Sequence, residues 1–123
     1  RFIPMLWLGG YVREPRVIDT FCNQSDLAAT LLAQLGLPHT DFTFSRDVLS
    51  ATYTHPTAVN NYNNAQWIMD ASGHLLYDLD AHKVTLYSPQ TPNSSLLTPN
   101  SKDSLLLLNQ AILQLTTTDL SNR

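Results

Sequence analysis

Residues 58–87 read AVNNYNNAQWIMDASGHLLYDLDAHKVTLY, and this stretch decides the fold of the second half of the chain. Apolar and polar residues alternate along it, and pairs such as Asn63-Asn64 and Ser72-Gly73 separate the alternating runs. Such alternation between turn residues is typical of half-buried antiparallel strands. We therefore predict a four-stranded antiparallel meander with strands at 58–62, 66–71, 74–79 and 83–87.

One face of this predicted sheet should be buried. Successive side chains of a strand point to opposite faces, so residues two apart share a face. The residues that this rule places on apolar faces are Leu75, Tyr77 and Leu79 on the third strand, and Val84 and Leu86 on the fourth.

The C-terminal part of the chain predicts a proline-containing loop over 88–99 and then a helix. Asn100 and Asp103 have the spacing of a helix cap, and the helix should cover about 102–117 and lie across the apolar face of the meander. We expect 119–123 to fray. The predicted apolar face of the helix consists of Leu105, Leu108, Ile112 and Leu115.

The N-terminal part has a different pattern, that of a parallel α/β fold. Residues 2–8, FIPMLWL, are continuously apolar and predict a strand buried on both faces, and 17–22 predict a second β-prone stretch. A helix over 25–35 follows, with a cap from Asn23 and Asp26 and a left-handed Gly36 at its end. Residues 39–56 predict a packed loop with at most one helical turn.

These patterns predict two domains, one over 1–50 and one over 51–123. The fold class is α/β in the first part, a strand and a helix of a central sheet. The second part is a small α+β subdomain of about four antiparallel strands and a C-terminal helix. The chain begins with Arg1 and enters a strand pattern at once, so we expect it to begin inside a larger domain.

The composition excludes several classes of protein. The chain has 123 residues, 43% hydrophobic and 14% charged, with a net charge of −3. It is too apolar for a disordered segment, and it contains no membrane-length apolar run. Seven Lys and Arg against ten Asp and Glu do not form the basic surface of a nucleic-acid binder. Cys22 is the single cysteine, which excludes an internal disulfide and a CxxC zinc site.

Two groups of residues resemble catalytic or metal sites, but the turn interpretation is favoured for both. Asp78, Asp80 and His82 have the chemistry of a cation site, yet aspartates at this position are typical of turns. Ser72 and His74 suggest a hydrolase pair with Asp70, but no G-x-S-x-G motif surrounds the serine.

Other single residues carry weaker signals. Arg46 in Ser45-Arg46-Asp47 can bind an oxyanion, and we favour instead a loop-closing ion pair or a helix start capped by Ser45. Gly9-Gly10 after a strand lacks the rest of a phosphate-binding motif. The remaining predictions are a buried, inert Cys22, surface positions for His39 and His55, and packing roles for Trp7 and Trp67.

Three blocks, in order and with fitting spacing, resemble the sulfatase branch of the alkaline phosphatase superfamily. Residues 1–10, RFIPMLWLGG, resemble its "R-V-P-L-I-I-x-x-P-G" strand. Residues 23–37, NQSDLAATLLAQLGL, resemble its "s-x-x-D-l-a-P-T-L-L-x-l-l-G-i" helix, and 44–50, FSRDVLS, its "f-x-G-x-D-L-l" stretch. Gly9 and Ala29 stand where the family commonly has proline. The meander and last helix resemble the family's small C-terminal subdomain in architecture.

The resemblance implies an enzyme whose catalytic residues lie outside this chain. In the family a Thr, Ser or formylglycine nucleophile is held by a divalent metal (Zn, Mn, Ca or Mg), whose ligands include an S-D-H-G motif N-terminal to the first block. No Asp-His pair occurs here, so we assign no catalytic, cofactor or metal residue. Asp26 matches the helix aspartate of the family, and its place in a first helical turn suggests a cap.

Within this branch the sequence most resembles the lipoteichoic acid synthase-like and phosphoethanolamine transferase-like bacterial membrane proteins. They imply a parent protein with an N-terminal membrane region and an extracytoplasmic domain, in the periplasm or at the cell surface. This chain would then be an inactive C-terminal fragment of a sulfuric-ester hydrolase or a phosphoglycerol or phosphoethanolamine transferase. Its partner would be the remainder of the domain, with homo-oligomers through the exposed strand. The alternative is a non-catalytic binding or oligomerisation module.

Overall fold

The computed structural model describes residues 3–10, 12–90 and 101–122. The chain forms two units: the first comprises Arg1–Thr20 and Gln24–Tyr53, and the second comprises Phe21–Asn23 and Thr54–Arg123. The elements in chain order are α1 (Asp26–Gln34), β1 (Ala58–Asn61), β2 (Ala65–Asp70), β3 (Gly73–Asp78), β4 (Lys83–Pro89) and α2 (Ser101–Ser121). The described residues therefore form a mixed α/β fold, with one antiparallel sheet and two helices. Among the described residues, neither helix combines the length and hydropathy that crossing a membrane requires.

Helix α1 lies where the periodicity predicts a helix, but its cap differs. The N-cap residue is Ser25 rather than Asn23, and the Ser25 side chain makes no capping hydrogen bond. At the other end Gly36 has a φ of 68°. This left-handed conformation is the predicted one, and it ends the helix because glycine adopts it without a Cβ penalty.

The two predicted N-terminal strands are absent from the structure, which corrects the sequence analysis. Neither 3–8 nor 17–22 forms a strand. A strand needs the N–H and C=O groups of a neighbouring strand, and the described part of the first unit contains no other strand. The apolar side chains of 3–8, apart from the half-buried Trp7, are consequently open to solvent, with Leu6 79% and Leu8 83% exposed.

The segment 39–56 is a loop without helix or strand, as predicted. Short backbone bonds fold it into successive turns: Phe42 N–H donates to the His39 carbonyl at 3.1 Å, and Ser45 N–H donates to the Phe42 carbonyl at 2.9 Å. A further turn follows, where Ser50 N–H donates to the Asp47 carbonyl at 3.2 Å.

The four-stranded meander of the second unit is confirmed. Its strand order is β1-β2-β3-β4, and every neighbouring pair is antiparallel. Ile68 lies opposite Val59 on one side and Leu75 on the other, and Leu75 lies opposite Tyr87. These facing residues place one apolar row across all four strands.

The prediction that Val84 and Leu86 share a buried face is wrong. The register between β3 and β4 shifts between Leu76 and Tyr77, so that Tyr77 pairs with Val84 while Leu76 pairs with Leu86. A shift of one residue turns the following side chains to the other face. Val84 therefore packs against the core, whereas Leu86 is 49% exposed.

Helix α2 covers one face of the sheet, as predicted. It contacts β2 and β3, and its Leu105 forms the buried core with Ile68, Leu75 and Tyr77. Leu105, Ile68 and Leu75 are fully excluded from solvent.

The predicted apolar face of α2 is only partly correct. Leu105 is buried and Ile112 packs against the core, but Leu108 is 37% and Leu115 55% exposed. Asn109 takes the buried position one turn after Leu105. The consecutive leucines at 105–108 place apolar side chains around the whole helix, so the periodicity does not determine which side faces the sheet.

Two predicted ends are also corrected. Ser88 and Pro89 belong to β4, opposite His74 and Gly73, rather than to a loop over 88–99. A proline is tolerated there because β4 is an edge strand. Residues 91–100, including the predicted cap Asn100, lie outside the described residues.

The helix also runs through the segment that we expected to fray, since α2 ends at Ser121. Side-chain hydroxyls accompany its last turns: Thr117 donates to the Leu113 carbonyl at 2.8 Å, and Ser121 donates to the Thr117 carbonyl at 2.9 Å.

Candidate functional site

The most connected polar side chain of the first unit is Asp26, at the first turn of α1. Its side chain is 1% exposed. Oδ1 accepts hydrogen bonds from the Arg46 backbone N–H at 3.0 Å and from Arg46 Nε at 3.4 Å. Oδ2 accepts from Arg46 Nη2 at 3.2 Å and from the Tyr53 hydroxyl at 3.4 Å. The interpretation of Asp26 as a cap missed these bonds to the loop.

Arg46 is the partner that closes the loop onto α1. Its guanidinium lies 4.7 Å from the centre of the Tyr53 ring, and Nη2 donates to the Tyr53 hydroxyl at 3.3 Å. Three interpretations of Ser45-Arg46-Asp47 were weighed, and the structure confirms the loop-closing ion pair, with 3.2 Å between Arg46 Nη2 and Asp26 Oδ2. The alternative of a helix start capped by Ser45 is wrong, because no helix begins there. The positive charge that would attract an oxyanion is thus already paired with a carboxylate.

Thr30 provides the second connection between α1 and the loop. It lies four residues after Asp26 and so on the same helix face. Its hydroxyl donates to the Asp26 carbonyl at 2.7 Å and accepts from the Val48 N–H at 3.0 Å. Ser45 adds a third connection, because its Oγ accepts from the Ala29 N–H at 2.8 Å.

We call this cluster the Asp26 clamp: Asp26, Thr30, Ser45, Arg46 and Tyr53. Asp26, Ser45 and Arg46 were singled out by the sequence patterns, whereas Thr30 and Tyr53 were not. The Asp-x-x-x-Thr spacing of 26 and 30 is a signal that could have found Thr30, since it places two polar side chains on one helix face. No local pattern marks Tyr53, which lies 27 residues from its partner.

A polar indentation of about 270 Å³ lies beside the clamp. Its lining residues are His39, Arg46, Asp47, Ser50, Thr52 and Tyr53. Three of them, besides the clamp residues Arg46 and Tyr53, already make hydrogen bonds: Ser50 Oγ and Thr52 Oγ1 lie 2.8 Å apart, and Asp47 Oδ1 accepts from the Leu49 N–H at 3.0 Å. The lining of the indentation carries charges of both signs. The role of the clamp itself is to hold the loop against α1.

The carboxylate and histidine group at 78–82 forms a turn. Asp78 Oδ1 accepts from the backbone N–H groups of Asp80 at 3.0 Å and Ala81 at 2.8 Å, and His82 has a φ of 50°. This confirms the turn interpretation, because a side-chain oxygen bonding the N–H two residues on defines an Asx turn. The described residues contain no group of three or more His, Cys, Asp or Glu side chains that could hold a metal ion.

The Ser72 and His74 pair likewise belongs to a hairpin. Ser72 Oγ donates to Asp70 Oδ1 at 2.6 Å, and the Ser72 N–H donates to the same oxygen at 2.8 Å. The His74 ring lies beside the Trp67 ring, with 6.0 Å between the ring centres. The serine is therefore bonded to a carboxylate of its own turn and not arranged as a nucleophile with a histidine base.

The remaining candidates are single residues. Cys22 is exposed, which corrects the prediction that it is buried. Its stretch 17–22 forms no strand and so is not packed into a sheet. His55 is exposed as predicted, whereas His39 is half-buried in the indentation.

Trp7 and Trp67 are half-buried, and the exposed pair Gly9-Gly10 has open space around it.

Comparison with known proteins adds no relative: the chain matches no protein-family model, no curated protein and no solved structure.

Proposed function

We propose that this chain is the C-terminal portion of a metal-dependent enzyme of the sulfatase branch of the alkaline phosphatase superfamily. The activity would be that of a sulfuric-ester hydrolase or of a phosphoglycerol or phosphoethanolamine transferase. The chain's own contribution would be structural, and without the catalytic part it would be inactive. The parent protein would be membrane-anchored, with this part outside the cytoplasm.

The Asp26 clamp is the observation that carries this proposal. Two of the three blocks that resemble the family, 23–37 and 44–50, are bonded directly to each other through it. The aspartate and threonine of the helix block, Asp26 and Thr30, are the very residues that make these bonds. A chance resemblance in two separate segments gives no reason for their matched residues to meet in one hydrogen-bonded network.

The segment 3–8, from the first block, gives independent support. It has the composition of a buried strand, yet Ile3, Leu6 and Leu8 are each at least 79% exposed. Exposed contiguous apolar chain is typical of a surface that another part of a protein covers. A neighbouring strand supplied by the remainder of a sulfatase-type sheet would satisfy both its side chains and its backbone.

A divalent metal would supply Lewis-acid activation of the nucleophile and stabilise charge on the transferred group in such an enzyme. No side-chain group among the described residues is arranged to hold it. We therefore place neither the metal nor any chemical step on this chain, and its residues act by holding the loop 39–53 against α1.

The coding sequence upstream of Arg1 tests the proposal first. We expect an open reading frame that encodes an S-D-H-G motif and membrane helices. A start codon directly before this segment, or an upstream sequence without those features, would overturn the proposal.

The activity of the complete gene product is the second test. We expect hydrolysis of an aryl sulfate or of an aryl phosphodiester that depends on added divalent metal, and no turnover by the 123-residue chain. Asp26→Asn in the complete product should weaken the folding of the domain and lower its yield of active protein. The matched control is Asp41→Asn, an exposed acid of the same loop, which should leave both unchanged.

The oligomerisation module remains the second candidate, because the exposed segment 3–8 would also serve self-association. Sedimentation velocity at micromolar concentration separates the two. A piece of a larger domain should associate progressively and without fixed stoichiometry. A closed dimer or trimer of constant size, with 3–8 protected from proteolysis, would favour the module. A stable monomer with 3–8 protected would contradict both.

A further inference from the structure

Two amide side chains are fully buried between α2 and the sheet of the second unit. Gln66 is 1% exposed and Asn109 0%. Gln66 Nε2 donates to Asn61 Oδ1 at 2.7 Å. Gln66 Oε1 and both amide atoms of Asn109 have no hydrogen-bond partner among the described residues. Buried amide groups without partners are costly and rare, so these three atoms require an explanation.

The two amides lie along one line of the interface. Gln66 precedes Ile68 by two residues and so shares its sheet face. Asn109 follows Leu105 by one helical turn, and Leu105 packs in one cluster with Ile68. Both amides therefore flank the same apolar contact.

A groove at the surface indicates that Gln66 and Asn109 lie on the same side of the contact between Leu105 and Ile68. Asn61 lies opposite Gln66 in the sheet, and it lines this groove together with Thr116 and Thr117 of α2. The C-terminal half of α2 thus lies near the Gln66 end of β2. This direction places Asn109, which comes after Leu105, toward Gln66 and not away from it.

The three unpartnered atoms match the hydrogen-bonding capacity of one water molecule. Gln66 Oε1 and Asn109 Oδ1 are acceptors, and Asn109 Nδ2 is a donor. A water molecule donates two hydrogen bonds and accepts from one or two donors, and buried waters typically make about three hydrogen bonds. A single direct bond from Asn109 Nδ2 to Gln66 Oε1 would leave Asn109 Oδ1 without a donor.

We propose that Gln66 and Asn109 form an internal water-binding site between α2 and β2. The water donates to Gln66 Oε1 and Asn109 Oδ1 and accepts from Asn109 Nδ2. An open surface groove of about 380 Å³, lined by residues that include Asn61 and Thr116, lies at the Gln66 end of β2. The site lies wholly in the second unit and does not depend on the proposed enzymatic function.

A crystal structure of the 123-residue chain at about 1.5 Å tests the proposal, together with NMR cross-relaxation between water and the two side-chain amides. We expect an ordered water about 2.7–3.2 Å from Gln66 Oε1 and from both Asn109 amide atoms. The Asn109 amide protons should show cross peaks to a long-lived water. A dry interface, or amides bonded face to face without water, would overturn the proposal.

A double-mutant cycle with Gln66→Met and Asn109→Leu measures the same site energetically. Each single substitution leaves the other amide buried without its hydrogen-bonding site, whereas the double variant replaces both amides by an apolar contact. The double variant should therefore be more stable than the sum of the two single effects implies. In urea unfolding, its unfolding equilibrium constant should be about tenfold smaller than that sum predicts. Gln110→Leu, at an exposed neighbouring position, is the control and should leave the water signal unchanged. Additive single effects would overturn the proposal, and if a variant fails to fold, the wild-type crystal and NMR results decide it.

Discussion

Each of the two units of this chain is stabilised internally by a different kind of interaction. The second unit has an apolar cluster, including Ile68, Leu75 and Leu105, beneath a regular antiparallel ladder. In the first unit, the buried side chains among the described residues are Ala29, Asp26 and Thr30, two of which are polar. Among the described residues, the buried contacts of the second unit are thus mainly apolar, whereas those of the first are hydrogen bonds and the ion pair between Asp26 and Arg46.

The largest expected effect lies in the apolar cluster of the second unit. Leu75→Ala should lower the free energy of unfolding of that unit by about 3 kcal/mol, because it removes a fully buried side chain and leaves a cavity. Urea unfolding followed by the fluorescence of Trp67 measures it in a variant that carries Trp7→Phe. Leu86→Ala, at a position 49% exposed, is the matched control and should cost much less. Equal losses would show that the bulge does not turn Leu86 away from the core.

The next effect should be confined to the first unit. Asp26→Asn keeps the size of the side chain but removes the charge that Arg46 and Tyr53 bind, at a cost of about 2–3 kcal/mol. Amide exchange should accelerate at the Arg46 N–H and at neighbouring loop positions. Exchange in β2 and β3 should stay as it was. Faster exchange throughout both units would contradict the contrast between them.

Gly73→Ala tests the close approach between β3 and β4. Gly73 has a φ of +156°, and a Cβ there would lie 2.5 Å from the Ser88 carbonyl oxygen. The cost should be about 1–3 kcal/mol, since the backbone of both strands has to move. Gly10→Ala, where a Cβ would meet open space, provides the control. Thermal unfolding monitored by circular dichroism compares the two, and an unaffected Gly73 variant would refute the close approach.

The smallest effect concerns the hydroxyl that joins α1 to the loop. Thr30→Val preserves the shape of the side chain but removes the acceptor for the Val48 N–H, which should cost about 1 kcal/mol. The measurement is the exchange rate of the Val48 amide, with exposed Thr43→Val as control. If the Val48 amide of the variant exchanges at the wild-type rate, the hydrogen bond between the Val48 N–H and Thr30 does not hold the loop.

The same contrast explains what could be predicted from sequence. The meander and Gly36 were predictable because alternation, turn residues and a helix end are local signals. The bulge at Leu76 and Tyr77 was not, since the alternation in β4 continues through it. The buried Asn109 was not either, because the four consecutive leucines at 105–108 place apolar side chains on all sides of that turn of α2.

The site was less predictable than the fold. An ion pair was expected of Arg46, but its partner lies 20 residues away, and sequence spacing says nothing about which carboxylate a loop will meet. The predicted strand 2–8 failed for the opposite reason. Its composition is that of a buried strand, but a strand also needs a neighbour, and none of the described residues in its unit provides one.

Amide exchange of residues 3–8 tests the central claim most directly. It should be measured in the 123-residue chain and in the product of the complete reading frame that contains it. The amides of Ile3, Leu6 and Leu8 should exchange freely in the isolated chain and become strongly protected in the complete product, where a neighbouring strand pairs with them. Free exchange in both proteins would contradict the proposal that this segment belongs to the sheet of a larger enzyme.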